Sequence, residues 1–148
     1  MKITERLKED LKSSLKAGLP DRTGVLRLLL SELQNKEKEK FAKSKNSSLS
    51  NEEVVAVLQR ESKKRKEAIL LFKKGGREDL VKKEESELKI IDEYLPEQMS
   101  LADVSAHVEK LIRDGFRDFN SLIKEAMKEL KGKVDGGRLA EIIKERLK

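Results

Sequence analysis

Residues 61–98 read ESKKRKEAILLFKKGGREDLVKKEESELKIIDEYLPEQ, and this stretch decides the fold. The glycine pair Gly75 and Gly76 separates two segments that each have the apolar spacing of an amphipathic helix. Pro96 ends the second segment, because proline cannot donate the backbone hydrogen bond that a helix interior requires. The stretch therefore predicts two helices that fold back on each other as an antiparallel hairpin.

Both helices of this hairpin carry charged residues on a face that is otherwise apolar. Glu61 and Arg65 lie four residues apart on the first helix, a spacing that allows them to pair along it. Glu84 and Glu87 interrupt the apolar face of the second helix. Antiparallel counting from the glycine pair places Arg65 near Glu87. We therefore expect a partly buried Arg65–Glu87 ion pair that can fix the register of the hairpin, with Glu61 and Glu84 nearby.

The rest of the chain also has helical spacing, and no long alternating stretch predicts a strand. One helix is expected over residues 3–17, and a second begins near residue 20 and loses its apolar face after Gln34. Ser50 and Glu53 form the pattern of a capping box that begins the third helix. Three shorter helices follow Pro96, the first of them capped by Ser100.

The residues expected to face inward are, in chain order, Ile3, Leu7, Leu11, Leu15; Val25, Leu26, Leu29, Leu30, Leu33; Val54, Val57, Leu58, Ala68, Ile69, Phe72; Leu80, Leu88, Ile91, Leu95; Leu101, Val104, Val108, Leu111, Ile112; Leu122, Ile123, Ala126, Met127; and Leu139, Ile142, Ile143, Leu147. We predict an all-α protein in two parts. Residues 1–96 form an N-terminal multi-helix domain with the long helical hairpin, and residues 97–148 form a small three-helix C-terminal tail domain.

The composition excludes several classes of protein. Of 148 residues, 42% are charged, 36% hydrophobic and 3% aromatic, and the net charge is +6. The absence of cysteine excludes disulfides, thiolate metal sites and a cysteine nucleophile. No stretch approaches the ~18 consecutive apolar residues of a membrane span, and the N-terminus lacks a signal peptide. We expect a cytoplasmic protein without membrane contact.

The sequence contains no arrangement of residues that predicts a reaction. The serines have no paired histidine, and no amidase signature is present. His107 is the single histidine and has neither cysteine nor a cluster of acids beside it in the sequence, so a structural or surface role is favoured over metal binding. We expect no catalytic residue, no metal site and no cofactor.

Basic residues are densest around the predicted turn of the hairpin. They allow contacts with the phosphates of RNA, but charge alone also fits an ordinary solvated helix face. Because aromatic residues are scarce, recognition of RNA shape and backbone is favoured over reading of bases. A second basic segment, residues 131–137, reads KGKVDGG. Its glycines and lysines could hold a phosphate at the start of the last helix, or it is a plain turn in which Asp135 caps that helix.

The candidate nucleic-acid-binding residues are Arg60, Lys63, Lys64, Lys73, Lys74, Arg77, Lys131 and Lys133.

A family pattern runs through almost the whole chain. Its residues are Glu61, Lys63, Arg65, Lys66, Phe72, Arg77, Asp79, Leu80, Glu84, Glu87 and the run Tyr94-Leu95-Pro96-Glu97-Gln98, together with Arg27, Gln34, Asn35 and the run from Lys131 to Gly136. With these residues the chain resembles the YqeY-like proteins. Three positions depart from the family: Ala68 replaces a common serine, and Asn120 and Ile123 replace a common glycine and methionine.

The resemblance implies a helical fold shared with the C-terminal region of the GatB polypeptide of the glutamine-dependent aspartyl/glutamyl-tRNA amidotransferase. In that enzyme the related region helps to hold tRNA, while a kinase-like core and an amidase subunit perform the chemistry. The family label of carbon–nitrogen ligase with glutamine as amido-N-donor is then inherited from the larger enzyme. The leading hypothesis is a tRNA-binding or tRNA-related accessory module without its own catalytic centre. The alternative is a protein-interaction module that docks on an amidotransferase or another complex, and amide transfer by the isolated chain is not expected.

Overall fold

The computed structural model describes residues 2–148, and over this range the chain forms seven α-helices and no β-strand. The all-α prediction is therefore confirmed. The helices are α1 (Ile3–Ala17), α2 (Pro20–Ser44), α3 (Asn51–Lys74), α4 (Glu78–Asp92), α5 (Leu101–Arg113), α6 (Phe119–Leu130) and α7 (Gly136–Arg146). None of the helices in the described range is long and apolar enough to cross a membrane.

The helices belong to two compact units, one ending at Leu95 and the other running from Pro96 to Lys148. The N-terminal unit contains α1 to α4, and its most extensive helix pairing is that of α3 with α4. Its buried core consists of Leu7, Val25, Leu26, Leu29, Leu33, Val54, Val57, Leu58, Ile91 and Tyr94.

The α3–α4 hairpin begins and turns where local chemistry requires it. At the start of α3, Ser50 accepts a hydrogen bond from the Glu53 backbone N–H, and the Glu53 carboxylate accepts one from the Ser50 N–H, so the predicted capping box is confirmed. At the end of α3, Gly76 has a φ of 70°. This left-handed conformation costs glycine little, because it has no Cβ to clash.

The prediction of the buried face of α1 is wrong at one residue, Leu15. Leu7 is fully buried, but Leu15 is 50% exposed, and the inward position near the end of the helix belongs to Ser14. Four residues turn an α-helix through about 40° more than a full rotation, so a row of leucines at this spacing drifts off the buried face. Ser14 Oγ lies 2.8 Å from Thr23 Oγ1, which joins α1 to α2 through a buried pair of hydroxyls.

The end of α2 makes contacts that its polar sequence does not predict. The helix continues to Ser44 as a solvated segment, but it packs back on the chain near the start of α3. The Lys40 ammonium lies 2.7 Å from Glu53 Oε1 and donates to the Ser48 carbonyl at 2.6 Å. These contacts bring the capping box of α3 into an ion pair with α2.

The C-terminal unit is a bundle of three short helices, and each helix begins at a polar cap. Ser100, Asp118 and Asp135 accept hydrogen bonds from backbone N–H groups in the first turns of α5, α6 and α7. The core of the bundle is apolar and consists of Val104, Val108, Leu111, Leu122, Ala126, Leu130, Val134, Leu139, Ile142 and Ile143.

Two predicted core residues of this unit are exposed, namely Leu101 (49%) and Leu147 (37%). Leu101 is the first residue of α5, and Leu147 follows the last residue of α7. Periodicity gives the face on which such a residue lies, but it does not say whether a neighbouring helix extends far enough to cover it.

Candidate nucleic-acid interface

The inside of the hairpin holds a charged cluster centred on Arg65. Its Nη1 donates to Glu84 Oε2 at 3.4 Å, and its Nε lies 3.3 Å from Glu87 Oε2. The Nε contact is an ion pair without the alignment of a hydrogen bond, since this buried nitrogen has no hydrogen-bond partner. The predicted Arg65–Glu87 pair is therefore confirmed, and Glu84 completes it. All three residues are partly buried, so their charges depend on each other.

Glu61 and Arg65, whose spacing allows an ion pair along α3, have other partners. Glu61 is buried and pairs with Lys64, whose Nζ lies 3.1 Å from Glu61 Oε1. Arg65 points instead toward α4, where two carboxylates face it. One turn away, the buried Ser62 donates to Asp92 Oδ1 at 3.4 Å. For Arg65, the two carboxylates of α4 thus replace a partner along α3, because a packed hairpin offers partners that an isolated helix lacks.

The outer side of α3 carries a row of exposed residues at helical spacing. We call this row the basic stripe and define it as Arg60, Lys63, Lys64, Glu67, Leu70, Leu71 and Lys74. Its members recur at intervals of three or four residues, which keeps them on one side of the helix. Among the residues that the structure describes, the side chains of Arg60, Lys63 and Lys74 have no hydrogen-bonding or ion-pairing partner. These three cations are available to a bound anion.

Two of the predicted nucleic-acid-binding residues already have acidic partners. Lys64 neutralises the buried Glu61. Arg77 donates to both carboxylate oxygens of Asp79, at 3.3 and 3.2 Å, and this hydrogen bonding lowers the pKa of Asp79 and raises the pKa of Arg77. An incoming phosphate would compete with these carboxylates. Lys73 is exposed beside the turn, and no such contact holds its side chain within residues 2–148.

The basic stripe contains two exposed leucines to which the sequence patterns assign no role. Leu70 is 61% exposed and Leu71 is 67% exposed, the two highest values among the exposed large hydrophobic residues of the described range. A signal for this existed in the sequence, because a helix cannot bury three consecutive apolar residues on one narrow face. Ile69 is the member of this run that is buried.

The KGKVDGG segment at residues 131–137 forms a structured turn. Gly132 has a φ of 83°, and its carbonyl accepts a hydrogen bond from Gln98 Nε2 at 2.8 Å. Asp135 accepts from the Arg138 backbone N–H at 3.2 Å and caps α7. A carboxylate therefore already lies at the helix N-terminus where a phosphate would bind. Lys131 and Lys133 are both exposed on this turn.

Buried and half-buried polar groups also join the two ends of the N-terminal unit. Tyr94 is buried and its hydroxyl donates to Asp10 of α1, while Arg22 of α2 donates to the Tyr94 hydroxyl at 3.1 Å and pairs with Glu93 at 2.9 Å. Burial is the main cause of the raised pKa of Tyr94, and the hydrogen bond to Asp10 adds to it. Sequence reasoning missed this cluster, because its members lie as far apart as residues 10 and 94.

His107 does not lie in a ligand cluster. Its Nε2 is 3.6 Å from Glu129 Oε2. Within residues 2–148, no group of three or more histidine, cysteine, aspartate or glutamate side chains is arranged to hold a metal ion.

Comparison with known proteins gives one family-level finding. A family model described as Yqey-like protein matches residues 4–147, which is almost the whole chain. No curated protein matches the sequence.

Proposed function

The chain belongs to the family of YqeY-like proteins, and from this premise we propose that it is a cytoplasmic tRNA-binding accessory module without a catalytic centre of its own. The observation that carries this proposal is the row of unpartnered cations on the basic stripe. Cations that have no acidic partner are free to replace the counterions of a phosphate backbone, and the release of those counterions drives binding.

The geometry favours the α3 side over the α7 turn as the main contact. Arg60, Lys63 and Lys74 lie on one helix, and Lys73 stands beside them near the turn. A helix with cations at this spacing can follow a phosphate backbone without reading bases. Lys64 and Arg77 would join this contact only after exchanging their carboxylate partners for phosphates. Lys131 and Lys133 would add side-chain contacts only, since Asp135 already occupies the N-terminus of α7.

Amide transfer is not part of this proposal. The label of carbon–nitrogen ligase with glutamine as amido-N-donor describes the larger amidotransferase, in which other parts perform the chemistry. We expect neither glutamine hydrolysis nor tRNA-dependent amidation from the purified chain. An assay that found either activity would replace the accessory role with an enzymatic one.

Titration of the protein with unfractionated tRNA at several salt concentrations tests the main proposal. We expect binding whose logarithmic constant falls linearly with the logarithm of salt concentration. The variant Lys63→Ala/Lys74→Ala should weaken binding and reduce the magnitude of the salt slope by about one per lysine removed. Lys8→Ala/Lys12→Ala is a matched control, because it removes two exposed charges from α1 and leaves the basic stripe intact. Absence of tRNA binding at low salt, or equal loss in both variants, would refute the proposal.

A second candidate function is docking on a partner protein, and the exposed Leu70 and Leu71 favour it. A phosphate backbone gains little from two leucines, whereas an acidic protein surface with apolar side chains would contact both the leucines and the lysines. The variant Leu70→Ser/Leu71→Ser discriminates between the two candidates. Loss of a co-purifying protein with unchanged tRNA binding would favour docking, and unchanged co-purification would remove it.

A further inference from the structure

A pocket opens beside the turn between α1 and α2, and none of its lining residues belongs to the basic stripe. It has a volume of about 340 Å³, and its lining includes Ser14, Leu15, Leu19, Thr23, Gly24 and Arg27. Its size falls at the lower end of the range typical of ligand pockets. Nothing in the proposed RNA contact uses these residues.

The walls of the pocket are apolar and open to solvent. Leu15 and Leu19 are 50% and 49% exposed, although both are leucines at the junction of two packed helices. Gly24 lies inside α2, where glycine weakens a helix relative to other residues. A Cβ at Gly24 would meet no atom within 4 Å, so the space in front of it is empty. The space in front of Gly24 and the two exposed leucines thus form one open apolar surface.

One end of the pocket carries an unneutralised positive charge. Arg27 is exposed, and no carboxylate in residues 2–148 lies within ion-pairing distance of its guanidinium. Two other arginines of the same unit have such partners, since Arg22 pairs with Asp10 and Glu93, and Arg65 with Glu84 and Glu87, whereas Arg60 on the basic stripe has none within residues 2–148. A guanidinium presents parallel N–H donors that match the two oxygens of a carboxylate. The charge at this end therefore fits a carboxylate.

The polar floor of the pocket offers acceptors but no donor. The Ser14 hydroxyl donates to the Leu11 carbonyl at 3.0 Å, which uses its only hydrogen. The 2.8 Å contact between Ser14 and Thr23 is then a donation from Thr23. Thr23 Oγ1 keeps its lone pairs and has no hydrogen left to give. A group that approaches Thr23 must itself be a donor.

We propose that this pocket binds the C-terminal residue of a partner polypeptide. The carboxylate would bind Arg27, an aliphatic last side chain would cover Leu15 and Leu19, and the amide N–H of that residue would face Thr23. A chain end supplies these three features on adjacent atoms, whereas a simple aliphatic acid has no amide donor. The opening to solvent allows the preceding residues of the partner to leave the pocket.

Fluorescence-anisotropy titration with a labelled peptide ending in Gly-Ser-Gly-Leu tests the proposal directly. We expect saturable binding of the peptide with a free C-terminal carboxylate and at least tenfold weaker binding of the same peptide as its C-terminal amide, because the charge-assisted bond to Arg27 is lost. Replacement of the last leucine by aspartate should also abolish binding. Equal binding of the free and amidated peptides, or no binding of either, would overturn the proposal. Free leucine that competes as strongly as the peptide would also overturn it, in favour of an amino-acid site.

Two variants of this protein test the pocket, one by removing its positive charge and the other by filling its apolar space. Arg27→Gln should weaken peptide binding about tenfold or more, and Gly24→Leu should block it by filling the empty space while strengthening α2. Arg60→Gln is the matched control, because Arg60 is also exposed and unpaired but lies on the basic stripe. It should weaken tRNA binding and leave peptide binding unchanged, whereas Arg27→Gln should do the reverse. The two proposals can therefore fail separately.

Discussion

The two units of this protein stabilise their helices in different ways. The N-terminal unit buries the polar residues Ser14, Thr23, Glu61 and Ser62, and Arg65 with its two carboxylates lies partly buried between α3 and α4. In the C-terminal unit, the buried residues that form the core are all apolar. Both units are all-helical, yet only the first places charges among its packed faces.

The difference follows from the lengths of the helices and their connections. The first helix of the hairpin, α3, has 24 residues, and an antiparallel partner could slide along it by one turn, about 5.4 Å, and still find apolar contacts. Such a slide would separate Arg65 from Glu87, so the charges select one register. The three short helices of the C-terminal unit have 11 to 13 residues, and backbone contacts such as Met99 N–H to Lys133 carbonyl (2.9 Å) constrain their connections. In the C-terminal unit, apolar packing and these backbone contacts are enough to fix the arrangement of the helices.

The largest effect is expected in the apolar core of the C-terminal unit. Leu139 is fully buried, so Leu139→Ala should lower the free energy of unfolding by about 3–4 kcal/mol through lost burial and the cavity left behind. Urea denaturation followed by circular dichroism measures this. Leu147→Ala is the control, since Leu147 is partly exposed and should lose less than half as much.

Removal of Arg65 is the matching experiment in the N-terminal unit. Arg65→Ala leaves Glu84 and Glu87 facing each other without a cation, and we expect a loss of about 2–3 kcal/mol because the site is only partly buried. Lys63→Ala, on the outer side of α3, should change stability by less than about 0.5 kcal/mol. If both variants behave alike, the inner charges do not distinguish the two units.

Charge reversal sharpens the test of register. Arg65→Glu should destabilise strongly, and adding Glu87→Arg should recover part of the loss, with a coupling energy of about 1 kcal/mol or more. Recovery is incomplete because Glu84 also faces position 65. Purely additive effects in a double-mutant cycle would contradict a role of the pair in setting the register.

Helix caps should give smaller and similar effects in both units. Ser50→Ala at α3 and Asp135→Ala at α7 each remove a side-chain acceptor from the first turn of a helix, at a cost of about 1 kcal/mol. Thermal unfolding of the two variants measures this cost. A much larger loss for Ser50→Ala would mean that its contact with Glu53 also supports the packing of α2.

The smallest effect is expected from the pH dependence of the Lys40–Glu53 ion pair. Hydrogen bonds from Lys40 and from the Ser50 backbone lower the pKa of Glu53 from 4.5 to about 2. This carboxylate therefore stabilises the fold above pH 4.5, and its contribution disappears as the pH falls toward about 2. Carboxyl NMR titration should show this low pKa, and Lys40→Ala should raise it. Asp118, whose pKa is lowered mainly by Ser121, serves as the internal control and should not change.

Local patterns in the sequence predicted the fold class and several specific contacts correctly. The apolar spacing gave the all-α class, the Ser50–Glu53 pattern gave the start of α3, and counting from the glycine pair gave the Arg65–Glu87 contact. These features depend on residues close in sequence or on a single tight turn. The errors at Leu15, Leu101 and Leu147 occur at or near helix ends, where the spacing does not reveal what lies opposite.

The sequence by itself thus determined the helices, the caps at Ser50, Ser100 and Asp135, the hairpin and the family. Only the tertiary structure decided which charges are neutralised by residues of another helix: Arg22 pairs with Glu93 and Lys40 with Glu53, whereas Arg27, Lys63 and Lys74 have no partner within residues 2–148. It alone also brought Asp10, Arg22 and Tyr94 together and left a pocket in front of Gly24. The reason is physical: helical periodicity fixes the direction in which a side chain leaves its own helix, while its partner and its exposure depend on distances to elements far away in the chain.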